Sequence, residues 1–337
     1  YNSYDNRYYV GTFFSISLSQ YACNLIEYHY NWIDIPTIPY SNLYKIANYN
    51  SNYIITSSDG VYQKEFTNPP IFVGQSDPPA IENDELDEIS GMVPSLKNTG
   101  IFWVINDSGG DNAVYGFNQN GEHVAKLYLQ DVENRDWEDI ALFYNQSSKT
   151  YKILIGDIGD NRARRKSINL IEFDEPSLSM EMDTMIAHYR NYVFKYEDHA
   201  RDAETLIVDP LTSTPYVISK REEQVGVYMP KRPLVCSDTL VLSLVTQLPF
   251  HNITSGDVSL NGKEILLKNY NEIFYWKRNK SESFIDAVTK EHELLNYIPE
   301  PQGEAICWGL EENGFYTLSE KSWASSQILY FHQKKPN

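Results

Sequence analysis

One unit is written five times along this 337-residue chain. An acidic residue leads into a short apolar run: DEISGMV at Glu88, DWEDIALF at Glu138, DAETLIV at Glu204, SGDVSL at Asp257 and QGEAICW at Glu304. Successive starts lie 50, 66, 53 and 47 residues apart, the scale of a four-stranded propeller blade. Each start is followed by a second apolar run with a polar end (FWVIND, KILIGD, PYVISKR, EILLKN, GFYTLSE) and by a third (AVYGFN, INLIEFD, GVYMP, EIFYWKR, QILYFH). HVAKLYL and LVLSLVTQL are the clearest fourth strands. Alternation is partial, as strands buried on both faces between neighbouring blades require. A β-sandwich leaves the recurring acidic start without a cause.

The expected fold is therefore all-β, a β-propeller. The 26 tyrosines and the frequent Asn, Ser, Gly and Pro agree with many short strands and turns. The five repeats occupy residues 86–332. In the first 85 residues TFFSISL, LYKIA, YIITSS and GVYQKEF read as a further blade, and IFVG at 71–74 as a strand closing the ring against the last one. This reading favours six blades in one domain, with 1–85 as first blade and ring closure and 86–337 as the remainder. Five blades with an N-terminal segment is the alternative.

A formal charge of −18, from 46 acidic and 28 basic side chains, disfavours nucleic acid and anionic membranes and favours cations. The uncharged stretch Tyr8–Ile26 is too often interrupted by polar residues for a membrane span and reads as one or two strands. Cys23, Cys236 and Cys307 show no zinc spacing. Sequons at Asn106, Asn145, Asn252 and Asn279 suit a secreted glycoprotein, any leader being read as already removed.

The innermost strand of each blade lines a propeller's channel. Aligned on their acidic starts, Glu88, Glu138, Glu204, Asp257 and Glu304 face one another at one level. Unit charges a few ångströms apart repel by about 1 kcal/mol in water and about 4 kcal/mol at an effective dielectric near 20, so protons or a cation must neutralise such a ring. Oxygen ligands without His or Cys select calcium or magnesium over zinc, and a wide irregular ring suits calcium, as one or two ions. Asn106, Asp107, Asp157 and Asn269, at second-strand ends, are placed to add oxygens, and Lys220 to neutralise part of the ring instead. The related loops GDIGDN (156–161) and NDSGGDN (106–112) combine aspartate, glycine and asparagine beside these ends. Arg162, Arg164, Arg165 and Lys166 form the one dense basic cluster. Arg162 there, and Arg221 near Lys220, are candidates for a substrate anion. His199, just before RDAE, or the channel carboxylate Glu138 is the candidate base, with Lys220 as a third catalytic candidate. The serine-elbow, phosphate-loop, dinucleotide and HExxH motifs are absent.

In this order EISG, NDSGGDN, DWEDIA, GDIGDNRARR, DAETLIVDP, GDVS and QGEAI resemble a family of secreted or periplasmic β-propellers. They are more distantly similar to the calcium-dependent six-bladed propellers of the paraoxonase, diisopropylfluorophosphatase and regucalcin type and to the propeller phytases. The resemblance covers about residues 86–320. It implies a channel calcium acting as a Lewis acid, with Glu88, Asn106, Asp157, Glu204, Asp257 and Glu304 as ligands. This chain has more carboxylates and fewer asparagines than those relatives. Three functions follow: a calcium-dependent hydrolase of an ester, lactone or phosphoester; a non-catalytic calcium-stabilised propeller that binds a secreted partner; and a metal-dependent lyase, isomerase or cyclase. In each the protein is a monomer.

Overall fold

The computed structural model describes residues 8–10, 33–35, 43–49, 52–57, 60–65, 70–81, 83–178, 183–297, 299–321 and 326–335. Two compact units divide the chain, Tyr1–Pro69 and Pro70–Asn337. The first contains the antiparallel pair β1 (Tyr8–Val10) and β2 (Ile33–Ile35), and an antiparallel meander of β3 (Leu43–Tyr49), β4 (Asn52–Ser57) and β5 (Gly60–Glu65). LYKIA, YIITSS and GVYQKEF thus form adjacent strands as expected, while TFFSISL lies outside the described residues.

The described residues of the second unit are all-β apart from one short helix. It opens with β6 (Phe72–Gly74). The first repeat is β7 (Ile89–Pro94), β8 (Ile101–Asn106), β9 (Ala113–Asn118) and β10 (His123–Leu129). The second is β11 (Trp137–Asn145), β12 (Thr150–Asp157), β13 (Ile168–Asp174) and, after the intervening β14 (Asp183–Ile186), β15 (Tyr189–Tyr196). The third is β16 (Ala203–Asp209), β17 (Thr214–Ser219), β18 (Val225–Pro230) and β19 (Leu240–Leu248). The fourth is β20 (Ile253–Val258), β21 (Glu264–Asn269), β22 (Ile273–Lys277), the helix α1 (Phe284–Val288) and β23 (Glu293–Leu295). The fifth is β24 (Gly303–Trp308), β25 (Gly314–Ser319) and β26 (Tyr330–Lys334), completed by β6, which pairs antiparallel with β26. The strand 71–74 therefore joins the last repeat, as the sequence suggests.

Strand β14 explains the long 66-residue spacing. It leaves the second repeat and pairs in parallel with β10 of the first. Parallel pairing of β15 with β19 links the second and third repeats into an eight-stranded sheet whose end strands, β11 and β16, also pack together, so that it nearly closes on itself.

The first strands β7, β11, β16, β20 and β24 pack in that order, and β24 returns to β7. One apolar cluster fills each junction. Trp103 and Ile140 lie between repeats one and two, Leu154 and Leu206 between two and three, and Ile207 and Ile265 between three and four. Leu266 and Ile306 lie between four and five, and Ile89 and Cys307 between five and one. Among the described residues this circuit comprises five first strands, all within 70–337, and the strands read as a further blade belong to the other compact unit. Trp103, Trp137 and Trp308 are buried packing residues, as expected. Cys236 and Cys307 are free thiols. No described helix is long and apolar enough to cross a membrane.

Candidate functional site

Every first strand of the five repeats carries a register shift at the same place, between Ile89 and Gly91, Trp137 and Asp139, Ala203 and Thr205, Ile253 and Ser255, and Gly303 and Ala305. The residue passed over at each shift is Ser90, Glu138, Glu204, Thr254 or Glu304. A bulge bends the strand and re-aims its extra side chain. Ser90, Glu138, Glu204 and Glu304 all line one polar cavity of about 410 Å³. Two further levels follow the same repeat. Two residues before the bulge stand Glu88, Asp136, Asp202, Asn252 and Gln302. Just beyond the paired end of the second strand stand Asp107, Ile158, Lys220, Tyr270 and Glu320. Asp107, Lys220, Tyr270, Asn252, Gln302 and Glu320 also line the cavity.

The level of the bulges therefore holds three glutamates, not five carboxylates. Glu88 is exposed and sits two residues before bulge residue Ser90. Asp257 lies three residues beyond bulge residue Thr254, and its oxygens accept the backbone N–H groups of Val258 at 2.8 Å and Trp308 at 2.7 Å. It ties β20 to β24, as Asp139 ties β11 to β16 by accepting the N–H of Leu206 at 2.9 Å. Asp157 is buried against Arg165, with Nη2 to Oδ1 at 2.8 Å. Asn106 is buried, and its Nδ2 donates to the carbonyl of Glu85 at 2.7 Å. Arg162 is exposed. His199 is exposed beside Asp198, with 3.5 Å between Nδ1 and Oδ2, and is not among the cavity-lining residues. Arg221 lines the cavity and donates to Asp202 and Asn161.

Two acidic triads stand out among the described residues. In Asp107, Asp136 and Glu138, and again in Glu138, Asp202 and Glu204, one oxygen from each residue lies within 4.8 Å of the others. Asp136 and Asp202 are the ligand candidates that alignment on acidic starts misses. Both stand in an Arg-Asp-x-Glu sequence, residues 135–138 and 201–204, and that recurrence is the signal for them. Lys220 compensates part of this charge. Lys220 donates to Glu204 Oε1 and, at 2.8 Å, to the Tyr270 hydroxyl, which donates to Glu304 at 2.7 Å.

The loop GDIGDN braces the acidic side. Arg165, held by Asp157, donates to the carbonyl of Gly159 at 2.6 Å, and the N–H of Asp160 donates to Asp202 at 2.9 Å. Gly159 passes so close to Glu138 and Asp136 that a Cβ would collide with both carboxyl groups. Gly159→Ala should therefore displace Glu138, and any divalent cation that the cluster holds should bind about tenfold more weakly or worse in calorimetry. Unchanged affinity would mean that the loop does not set the position of Glu138.

Burial raises the proton affinity of these acids. Asp107 is pushed up to about 7, first by burial and then by Asp136, Glu88 and Glu304. Glu138 lies well above the carboxylate range through burial, Glu204 and Asp107. Glu204 does so through burial and Glu304, against the pull of Lys220. Glu320 is raised to about 7 by burial, Glu304 and Asp107. Burial opposes the charge of Lys220, yet Glu204 and Glu304 hold its pKa above the ordinary lysine value.

The donor set fits a hard cation. It consists of oxygens only, and Glu204 Oε2 is buried without a hydrogen-bond partner among the described residues. The clusters could hold a metal ion. The sequence matches no protein-family model and no curated protein.

Proposed function

We propose that residues 70–337 form a five-bladed β-propeller that binds calcium in its central cavity and hydrolyses an ester, lactone or phosphoester there. The closed circuit of five first strands supports the blade count. The observation that carries the function is the convergence of Asp107, Asp136 and Glu138 from adjacent repeats on one small volume, beside charged Lys220 and Arg221. Asp107, Asp136 and Glu138 would hold the ion, which when bound supplies Lewis-acid polarisation of a substrate oxygen.

The remaining cavity residues suit the other roles of hydrolysis. Glu320, with a pKa near 7, is matched to taking a proton from water at neutral pH and is preferred as base to the exposed His199. Lys220 stays protonated, so it serves as a donor to developing negative charge and not as a base. Arg221, half exposed at the cavity, is placed to meet a substrate anion. Secretion is part of the same reading. Of the four sequons, Asn279 is exposed and Asn145 partly so, whereas Asn106 is buried and Asn252 lines the cavity, so the first two are the acceptors.

Metal analysis of the purified protein, thermal unfolding with and without EGTA, and turnover of p-nitrophenyl acetate, a γ-lactone and p-nitrophenyl phosphate test this function. Bound calcium, a lower melting temperature after chelation, and turnover lost with EGTA and restored by calcium are expected. Bound calcium without turnover would favour the non-catalytic binding propeller. A product of unchanged mass would favour an isomerase or cyclase. Absence of any bound cation would overturn the function.

A further inference from the structure

We infer that the cavity holds a second divalent cation, between Glu138, Asp202 and Glu204, and that Glu138 bridges it to the first. This rests on the reading of Asp107, Asp136 and Glu138 as a cation site.

The repeat pattern supports a paired centre. Only the second and third repeats carry a carboxylate both at the bulge and two residues before it, Asp136 with Glu138 and Asp202 with Glu204. The other repeats present Glu88 with Ser90, Asn252 with Thr254, and Gln302 with Glu304. The two fully acidic repeats are neighbours, because β11 packs on β16. Four carboxylates thus stand side by side, and Glu138 belongs to both triads.

An independent observation points to a ligand in the second triad. Glu138, Asp202 and Glu204 are all more than nine-tenths buried. Glu204 gives Oε1 to Lys220, but its Oε2 has no hydrogen-bond partner among the described residues. A buried carboxylate oxygen without a partner loses its hydration and gains nothing in return, and a hard cation restores that loss. Asp202 is oriented by the N–H of Asp160, which donates to Oδ1 at 2.9 Å, and by Arg221, which donates to Oδ2, the kind of support that fixes a ligating carboxylate. A carboxylate has two oxygens, so Glu138 can serve one ion with each. Two cations held in this way would supply charge to both the attacking and the leaving oxygen of a displacement. The competing arrangement leaves the second triad to the charges of Lys220 and Arg221 alone.

Calcium titration of the full chain by calorimetry, with metal content measured in parallel, counts the ions. Two per chain are expected. Glu204→Gln and Asp107→Asn should each retain one, and Glu138→Gln should weaken both at least tenfold. Loading with Mn²⁺ should give an exchange-coupled paramagnetic resonance signal, which Glu204→Gln converts to that of an isolated ion. Asp202→Asn replaces Glu204→Gln if circular dichroism shows the latter misfolded. A single ion, abolished by Asp107→Asn and indifferent to Glu204→Gln, would overturn the second position and leave the first standing. A second ion that appears only in Lys220→Met would also overturn it, by showing that the ammonium holds the place. No ion under any condition would overturn both sites.

Discussion

Replacing Asp209 by alanine should lower the stability of the 70–337 unit by about 3–5 kcal/mol, the cost of leaving one partner of a buried ion pair uncompensated. Asp209 ends β16 and Arg278 follows β22, so the pair joins the third repeat to the fourth. Their side chains are 1% and 3% exposed, and the guanidinium meets the carboxylate as a fork, at 2.7 and 3.1 Å. The surroundings complete the pair. Arg278 Nε donates to the carbonyl of Glu282 at 2.9 Å, and Asp209 accepts the Thr212 hydroxyl at 3.1 Å and the N–H of Leu211 at 3.2 Å. Alanine at 209 strands a charge that water cannot reach. Arg232 and Asp238, 3.4 Å apart with both side chains more than half exposed, provide the contrast, and Asp238→Ala should cost about 1 kcal/mol or less. Urea unfolding of both variants checks this difference. Combining Asp209→Ala with Arg278→Met should recover part of the loss, because the stranded charge is then removed. If Asp209→Ala unfolds at the same urea concentration as Asp238→Ala, the fork does not hold the third and fourth repeats together.

The strand order and the joining of residues 71–74 to the last repeat are legible because apolar runs of strand length recur with polar ends at nearly constant spacing. The long second interval is not decoded from spacing alone, because β14 leaves its own repeat to pair with β10. The site is legible by halves. Glu138, Glu204, Glu304, Asp107, Lys220 and Arg221 do come together around the cavity. Asp257 shares their chemistry but not their register. The sequence SGDV offers an acid near the strand start, whereas the bulge falls at Thr254, three residues earlier. A shift of one residue sends a side chain to the opposite face, so acidity alone is a poor ruler for alignment. The ruler that works is Arg-Asp-x-Glu, which spans the bulge and brings in Asp136 and Asp202. Tyr270 carries no comparable signal, being one tyrosine among 26. Its role depends on Lys220 and Glu304 arriving from the two flanking repeats.

Cation affinity should fall at least tenfold for each pH unit below about 7, since an ion must displace the protons that the buried carboxyl groups retain. Asp107 holds its proton to about 7, and Glu138 holds one well above the ordinary carboxylate value. Without the ion the same shifts act on folding. An acid whose folded pKa is raised keeps its proton while the unfolded chain has already lost it, so its contribution to stability is present at low pH and disappears as pH rises. For Asp107 and Glu320 the window runs from their ordinary values of 3.8 and 4.5 up to about 7. EGTA-treated protein should therefore lose melting temperature across that window, and saturating calcium should reverse the part due to Asp107, where the ion replaces the missing proton, but not the part due to Glu320, which is not a ligand. Calorimetry at about pH 6 in buffers of different ionisation enthalpy should register at least one proton released per ion bound. Asp107→Asn removes one of these protons together with a ligand. Its remaining binding should therefore be weaker at about pH 8 and should depend less steeply on pH than the parent's. Affinity that is flat between about pH 5 and 8, with no proton released, would separate the cation from these carboxylates and return the charge balance of the cavity to Lys220 and Arg221.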